Sequence, residues 1–270
     1  MKLYEKDGVK YFKFDNIEKL GFVNHCFSTR IGGVSEGCFE SLNLGYSRGD
    51  RKEAVTENFR RICTANGMDY KKLVFGSQVH GNNIKRAGID DCGCGVVFQS
   101  GISGFDGFVT NEPSVVLVTF HADCVPIFFA DPVNKAIGLS HSGWKGTVLD
   151  MAGMSVRKMQ EEFGSKPEDL ICAIGPSIGK CCFEVDLPVA DEFKNTLTFS
   201  SEYIERKENG KYMVDLWGIN KRLLTKAGVK EENIEVTNEC TKCSGGLFYS
   251  HRKMGDKRGS LAALMSIREF

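Results

Sequence analysis

Two histidines and one cysteine, His80, Cys124 and His141, are the residues of this sequence that are best suited to chemistry. Each stands in a polar segment directly after or between apolar runs. Two imidazoles and one thiolate suit zinc, and three protein ligands leave the fourth position open for water or substrate. The gaps between the three residues are much longer than the tight pairs of a zinc finger. The spacing therefore predicts a catalytic site that the fold assembles.

The same residues admit other interpretations, which the sequence leaves open. With Cys124 as nucleophile and His141 as general base, the protein would be a cysteine hydrolase acting on an amide. A closed site with four ligands and no turnover would make it a non-catalytic zinc- or ligand-binding protein. Two hydrogen-bonded core histidines beside a buried thiol would have a structural role only. Metal content separates the hydrolase from the zinc enzyme, because a zinc-bound thiolate is a poor free nucleophile.

Short apolar runs must position Cys124 and His141. Three such runs, bounded by turn residues, predict buried strands over residues 115–120, 127–130 and 136–139. The polar cluster His121, Asp123 and Cys124 follows the first run, and His141 follows the third. Ionisable groups at the ends of buried strands are costly unless something uses or satisfies them. We therefore expect the active site where these strands end.

Two glycine-containing segments suit anion binding. Gly32 and Gly33 follow Arg30, and the backbone of such a loop can approach an anion closely, although a glycine turn beside a solvated arginine is the simpler interpretation. Residues 143–147 join a predicted strand to a helix predicted over residues 148–163. Free N–H groups at a junction of this kind form a second candidate anion site.

The chain contains 11 cysteines. A disulfide framework is typical of small secreted domains, and this chain is neither small nor evidently exported, so most of the thiols are predicted to be reduced and buried. Cys240 and Cys243 have the CxxC spacing of metal ligands, but this is a lone pair with only His251 nearby. Incidental thiols are favoured there, and a second structural zinc stays open.

Composition narrows the class of protein. Lys plus Arg and Asp plus Glu are equal at 35 each, so no net charge favours nucleic acid or an anionic membrane. No apolar run approaches the roughly 20 residues that span a bilayer, and the N-terminus lacks the apolar core of a signal peptide. These features predict a cytoplasmic protein that binds neither nucleic acid nor membrane. No composition shift divides the chain, and the sequence does not indicate an oligomeric state.

Several segments carry a resemblance to a known family. In chain order they are HCFSTRIGGVS, SLNLG, SQVHG, DGFVT, ADCVPIFFAD, SHSGWKGT, AIGPSIGKCCFEV and FYSHRK. They extend from about His25 to the C-terminus and resemble the bacterial laccase-domain family, whose polyphenol oxidase-like members are more recently described as purine nucleoside phosphorylases. The combination of ADC-[VL]-P with H-[AS]-GW-[RK]-GT is highly specific.

The resemblance implies a fold, a metal site and an activity. The implied fold is α+β, with residues 1–270 forming a single domain built on a large mixed β-sheet core with flanking helices. The histidine of QVHG, the cysteine of ADCVP and the histidine of HSGW are the implied zinc ligands, here again His80, Cys124 and His141. The implied activity is phosphorolysis of adenosine, inosine, guanosine and methylthioadenosine, with adenosine deamination alongside. Purine nucleosides and phosphate are therefore the expected partners.

Further site residues follow from the resemblance and from the positively charged side chains in the matching segments. The candidate contacts to substrate or phosphate are Arg30, Asn43, Lys145 and Arg252, and the candidate proton carriers are Asp123 and Glu184. Lys145 replaces the arginine that is usual in the family, which keeps the charge but loses the bidentate fork. The family's older name suggests an oxidase, but too few histidines remain for a multicopper cluster, so copper is less favoured than zinc.

Overall fold

The computed structural model describes residues 1–97 and 101–269. The strands in these residues are β1 (Lys2–Lys6), β2 (Val9–Lys13), β3 (Val23–Ser28), β4 (Leu73–Val74), β5 (Ile84–Arg86), β6 (Gly107–Thr110), β7 (Val116–His121), β8 (Val125–Asp131), β9 (Ala136–Ser142), β10 (Ile171–Ile174), β11 (Glu184–Val185), β12 (Ile204–Arg206), β13 (Tyr212–Val214), β14 (Ile234–Val236) and β15 (Leu261–Ile267). The α-helices are α1 (Asp15–Glu18), α2 (Lys52–Asn66), α3 (Trp144–Val148), α4 (Met151–Phe163), α5 (Leu187–Thr196), α6 (Leu216–Lys226) and α7 (His251–Met254). None of the helices in this part of the chain combines the length and the apolar character needed to cross a bilayer.

Most of the strands form two mixed sheets of six strands each. The order is β1-β2-β3-β15-β7-β4 in the first sheet and β14-β10-β8-β9-β6-β5 in the second. Neighbours are antiparallel, except that β4 runs parallel to β7, β14 to β10 and β5 to β6. A smaller sheet of three strands has the order β11-β13-β12.

The two large sheets pack face to face and are covered by helices on their outer faces. Fully buried Phe27 of the first sheet and Phe128 of the second belong to one apolar cluster between the sheets. On the outer side of the first sheet, Phe59 of α2 packs in a second cluster. On the outer side of the second sheet, Val156 of α4 and Leu223 of α6 pack in a third. The result is a helix, sheet, sheet, helix arrangement of four layers.

The α+β class that the sequence predicted is confirmed. The large mixed β-sheet core with flanking helices is confirmed as well, and its strands divide between two facing sheets. Apolar runs that are buried on both sides look the same in sequence whether they lie in one sheet or in two. That residues 1–270 form one domain stays a prediction.

The β8–β9 hairpin extends further than its apolar runs indicated. Val125 pairs with Ser142 and Pro126 with His141, so His141 lies within β9 and not in the loop after it. All residues of both strands are buried. The polar side chains at the end of β9 are accommodated because they have partners: the hydroxyl of Ser142, for example, donates to Oδ1 of Asn220 over 3.0 Å.

The helix predicted over residues 148–163 is interrupted. The structure has the short helix α3 and then α4, which begins at Met151. Asp150 between them has a left-handed φ of 58°, and its carboxylate accepts the N–H of Gly153 at 3.0 Å as an N-cap. The apolar periodicity continues across this break, so the sequence pattern does not reveal it.

Candidate active site

The β8–β9 hairpin brings Cys124 and His141 together. Cys124 directly precedes β8, and His141 lies near the end of the antiparallel strand β9, so both residues reach the same end of the hairpin. His80, from the segment between β4 and β5, lies beside them. The ligand atoms of His80, Cys124 and His141 all lie within 4.8 Å of one another. The imidazole rings of the two histidines are 4.9 Å apart and nearly perpendicular. The three residues that the sequence singled out therefore form one cluster.

Asp106, directly before β6, holds both histidine segments in place. Its fully buried carboxylate accepts the backbone N–H groups of Val79, His80 and Gly81 at 2.9 to 3.0 Å. The same carboxylate is 2.8 Å from Nδ1 of His141. A proton on Nδ1 leaves Nε2 of a neutral His141 free to act as a ligand, and a carboxylate in this position is typical of metal-bound histidines. Asp106 was not predicted from the sequence, because an aspartate followed by a glycine resembles an ordinary turn.

The charged forms of Cys124 and His141 stabilise each other. Burial by itself raises the pKa of the Cys124 thiol, but His141 and His80 together lower it to about 6. Burial by itself lowers the pKa of His141, but the Cys124 thiolate and Asp106 raise it to about 9. The thiolate form of Cys124 is thus available near neutral pH, as both a metal ligand and a nucleophile require. His80 places a second imidazole beside the same sulfur, which a zinc site uses and a cysteine–histidine pair does not need.

Two neighbouring residues shape the cluster without belonging to it. Buried His121 contacts the carbonyl of Cys124 through Nδ1 at 3.1 Å and the hydroxyl of Thr119 through Nε2 at 2.8 Å, so both of its ring nitrogens are engaged. Burial and the nearby His141 hold the pKa of His121 well below its usual range. At Gly143, a Cβ atom would lie 3.0 Å from the Cys124 sulfur, so a side chain at this position would crowd the cluster.

The cluster opens into a cavity of about 920 Å³. This volume lies within the range of roughly 300–1,000 Å³ that is typical of small-molecule sites. Arginine and aromatic side chains share its wall with the three candidate ligands. They include Arg48, Arg252, Arg258, Phe75, Phe120 and Phe183.

Three of the other predicted site residues, Asp123, Glu184 and Arg252, line this cavity. Asp123 accepts the Thr241 hydroxyl at 2.6 Å and the backbone N–H of Arg252 at 2.7 Å, so each of its carboxylate oxygens has a partner. Glu184 is paired with Lys207 at 2.7 Å, which lowers the pKa of that carboxyl. The guanidinium of Arg252 donates to the carbonyl of Glu184 at 2.9 Å.

Arg30, Asn43 and Lys145 are not among the described residues that line the cavity. The guanidinium of Arg30 lies 4.9 Å from the centre of the Tyr249 ring and donates to a backbone carbonyl. The buried amide of Asn43 accepts the backbone N–H groups of Gly45 and Ser260 and thereby ties two loops together. Lys145 is exposed on α3. The structure therefore does not bring these three predicted contacts to the ligand cluster.

Arg258 is a cavity residue that the sequence analysis missed. It is buried, with 6% of its surface exposed, and its Nη1 donates to the carbonyl of the adjacent Gly259 at 2.9 Å. Its Nε has no hydrogen-bond partner among the described residues. Burial lowers the pKa of Arg258 to about 10, and the nearby Arg48 acts in the same direction. A buried guanidinium with an unpaired donor beside a cavity is suited to receive an anion.

Comparison with known proteins places the chain in a family. A family model described as multi-copper polyphenol oxidoreductase laccase matches residues 24–268. The chain belongs to this laccase family. It is 38% identical over 244 residues to purine nucleoside phosphorylase YlmD of Geobacillus stearothermophilus, which covers 90% of this chain and 89% of that protein. It is 35% identical over 244 residues to the protein of the same name from Bacillus subtilis, with 90% and 88% covered.

A solved structure confirms the fold of this family member. The crystal structure of YlmD from Geobacillus stearothermophilus superposes with a TM-score of 0.92 at 35% sequence identity and covers 98% of each chain. The resemblance that the sequence motifs indicated is therefore confirmed.

The name of the laccase family refers to copper, but the ligand groups found here do not form a multicopper cluster. Within residues 1–97 and 101–269, the candidate metal sites are the group of His80, Cys124 and His141 and a group of four cysteines. The first group holds two histidines and the second holds none. The geometry of the first group suits a single ion and does not identify the metal.

Proposed function

We propose that this laccase-family protein is a zinc-dependent purine nucleoside phosphorylase that also deaminates adenosine. Adenosine, inosine, guanosine and methylthioadenosine are its proposed substrates. The observation that carries the proposal is one cavity that joins a candidate metal cluster, an arginine with an unpaired donor and aromatic walls. The names of the two relatives as purine nucleoside phosphorylases support it. A cavity of about 920 Å³ lined by charged and aromatic side chains fits a small polar substrate.

The residues present fit a zinc ion. Two imidazoles and an available thiolate are a zinc donor set, and Asp106 holds the proton of His141 on Nδ1, away from the metal side. We assign His80, Cys124 and His141 as the ligands. A zinc ion bound there would supply a Lewis acid and lower the pKa of a bound water to near 7, as deamination at C6 of adenine requires.

Arginine residues provide the phosphate subsite of the proposed enzyme. Phosphorolysis forms a bond between a phosphate oxygen and C1′ of the ribose and breaks the bond between C1′ and the base, which leaves with a proton. Arg258 offers an unpaired Nε, and Arg48 and Arg252 line the same cavity. Guanidinium groups bind phosphate through charge-assisted and often bidentate hydrogen bonds. Arg30, Asn43 and Lys145 stay predictions as more distant contacts.

Aromatic rings and carboxylates complete the site. Phe75 and Phe120 lie edge to face with ring centres 5.0 Å apart, and Phe183 lines the cavity as well. Such rings offer apolar surface for the purine. Asp123 and Glu184 stay the candidates for proton transfer. Asp123 would have to exchange one of its present partners for a water or the substrate, because both of its oxygens accept hydrogen bonds.

One observation favours a second candidate function. A Cys124 thiolate beside a His141 whose pKa is raised to about 9 is also the charge state of a cysteine hydrolase. In that case the zinc would be absent, and adenosine would not be a substrate.

A product analysis with adenosine tests the proposed function. Zinc-replete protein is incubated with adenosine, with and without phosphate, and the products are separated by chromatography. We expect adenine and ribose 1-phosphate only when phosphate is present, and inosine under both conditions because water is the nucleophile. Hypoxanthine should appear with phosphate as inosine is cleaved in turn. Adenosine left unchanged by folded, zinc-replete protein would refute the nucleoside phosphorylase and favour the cysteine hydrolase or a binding protein.

Replacing Arg258 tests the phosphate subsite. Arg258→Met should raise the KM for phosphate by roughly 10- to 100-fold, the equivalent of losing one hydrogen bond to a charged group. Adenosine deamination should change much less, because it does not use phosphate. Arg48→Met is a companion variant at an exposed position, which keeps the test valid if Arg258→Met folds poorly. Arg30→Ala serves as the comparison, since Arg30 lies away from the cavity.

Initial rates of phosphorolysis and deamination should be measured on all three variants. If the KM for phosphate rises more in Arg30→Ala than in Arg258→Met and Arg48→Met, Arg30 would be the phosphate contact instead. A proportional loss of both activities in Arg258→Met and Arg48→Met would show that these arginines do not form a phosphate subsite.

A further inference from the structure

Four cysteines outside the active site form a second cluster. Cys181 and Cys182 are adjacent in the chain, and Cys240 and Cys243 form the CxxC pair. Their sulfur atoms all lie within 4.8 Å of one another. The structure thus supplies the second pair of ligands that the lone CxxC pattern lacked in the sequence.

The second sheet brings these two pairs together. Cys181 and Cys182 lie in the loop after β10, and Cys240 and Cys243 lie in the loop after β14, which runs parallel to β10. The two loops are joined by backbone contacts: Ser177 and Cys240 form a parallel bridge, and the N–H of Thr241 donates to the carbonyl of Ser177 at 3.0 Å. Backbone contacts therefore hold the two loops together independently of the thiols.

Two of the distances between the sulfurs match those of a tetrahedral metal site. With metal–sulfur distances of about 2.3 Å, the sulfurs of a tetrahedral zinc site lie roughly 3.8 Å apart. The Cys181 sulfur is 3.7 Å from that of Cys182 and 3.8 Å from that of Cys243. The sulfurs of Cys182 and Cys243 are closer, at 3.1 Å, and would have to separate slightly around an ion. All four residues are free thiols.

A backbone N–H group is placed to support a charged sulfur. The N–H of Gly179 donates to the sulfur of buried Cys240 at 3.3 Å, as N–H groups do around metal-bound thiolates. Lys180 and Lys242 are the direct neighbours of these cysteines in sequence, and the ammonium of Lys180 is paired with Glu205 at 2.9 Å. Cys181 and Cys243 are exposed, which gives an ion access from solvent.

We propose that Cys181, Cys182, Cys240 and Cys243 bind a second metal ion, a thiophilic divalent ion such as zinc, in a closed structural site. Four thiolate ligands leave no open coordination position, so this ion takes no part in catalysis. It links the loop after β10 to the loop after β14.

The position of the cluster connects it to the cavity. Arg252 donates through Nη1 to the carbonyl of Cys182 at 3.0 Å, and the hydroxyl of Thr241, inside the CxxC pair, donates to Asp123 at 2.6 Å. Arg252 and Asp123 both line the cavity. An ion at the four cysteines would therefore stabilise the cavity wall through the contacts of Arg252 and Asp123. It would share no ligand with the first site.

Metal analysis of variants tests this second site separately from the proposed function. The test uses the full chain, purified under reducing conditions, with zinc measured by elemental analysis and Co²⁺ added as a spectroscopic probe. A Cys124→Ala variant, which lacks a ligand of the first site, should retain about one tightly bound zinc per chain. After exchange with Co²⁺ it should show the intense thiolate-to-cobalt absorption of a four-sulfur site. No nucleoside turnover is needed for either measurement.

In the Cys124→Ala background, a Cys181→Ser, Cys243→Ser double substitution should abolish binding of this ion and its cobalt absorption, and the melting temperature should no longer fall on treatment with a chelator. Both residues are exposed, so the substitutions are compatible with folding. Cys38→Ser, another exposed cysteine, is the matched control. A double variant with the zinc content of the control would overturn the proposal. So would a disulfide among the four cysteines, detected by mass in protein purified with both zinc and reductant.

Discussion

A Cys124→Ala variant should lose both adenosine phosphorolysis and adenosine deamination, together with the metal of the first site. Cys124 is one of only three ligands that the cluster offers. Loss of a partner that merely orients a ligand costs roughly 10- to 100-fold in metal affinity or activity, and loss of a ligand should cost at least as much. Because both reactions are proposed to use the same zinc-bound cavity, they should fall together.

The decisive measurement compares metal content with activity in the same preparation. Cys38→Ala is a suitable control, because Cys38 is an exposed thiol outside both cysteine-containing clusters. It should keep the zinc and the activity of the wild type. A Cys124→Ala protein that retains full zinc at the first site yet cannot turn over adenosine would contradict the ligand role. Such a result would favour Cys124 as a nucleophile.

The cluster of His80, Cys124 and His141 could be predicted because polar ligands at the ends of buried strands stand out in a sequence. Asp106 did not stand out in the same way. Its carboxylate is satisfied by three backbone N–H groups and by His141, and such a residue looks in sequence like an ordinary aspartate before a turn. Its role depends on contacts with residues 25 to 35 positions away, which no local pattern displays.

Contacts between residues that are distant in the chain also explain why the arginines and the four-cysteine cluster could not be predicted from the sequence. Arg258 follows a strongly charged segment, so it resembles a solvated arginine, and only the folded chain shows that it is buried beside the cavity. Arg30 stands in a glycine-containing loop that resembles an anion site, but the fold directs it toward Tyr249. Cys182 and Cys243 are 61 positions apart and meet only because β10 and β14 are parallel neighbours.

Fold class was easier to predict than layer number. The apolar runs and their turn residues located the central strands, but they contain no information on which sheet each strand joins. The division into two sheets depends on pairings that are distant in the chain, such as β15 between β3 and β7. Long-range pairings of this kind are decided by packing of whole faces and not by the local sequence.

An Asp106→Asn variant should bind metal at the first site more weakly by roughly 10- to 100-fold. Asparagine has nearly the same shape, but its NH₂ group cannot accept the hydrogen bonds that one carboxylate oxygen now receives. The proton of His141 would no longer be held on Nδ1, and the N–H groups around His80 would lose part of their acceptor. Buried donors without a partner cost about 1–3 kcal/mol each, so the protein should also be less stable.

Loss of stability alone would not establish that Asp106 positions the ligands, so the test needs a matched control. Asp131 is also a fully buried aspartate, and its carboxylate accepts the backbone N–H groups of Val133 and Asn134 in the β8–β9 turn, away from the cluster. Asp131→Asn should therefore lower the melting temperature without changing zinc affinity. The affinity is measured by competition with a chelator in a Cys181→Ser, Cys243→Ser background, which removes the four-cysteine cluster. Equal zinc affinity in the two aspartate variants would mean that Asp106 supports the fold and not the metal ligands.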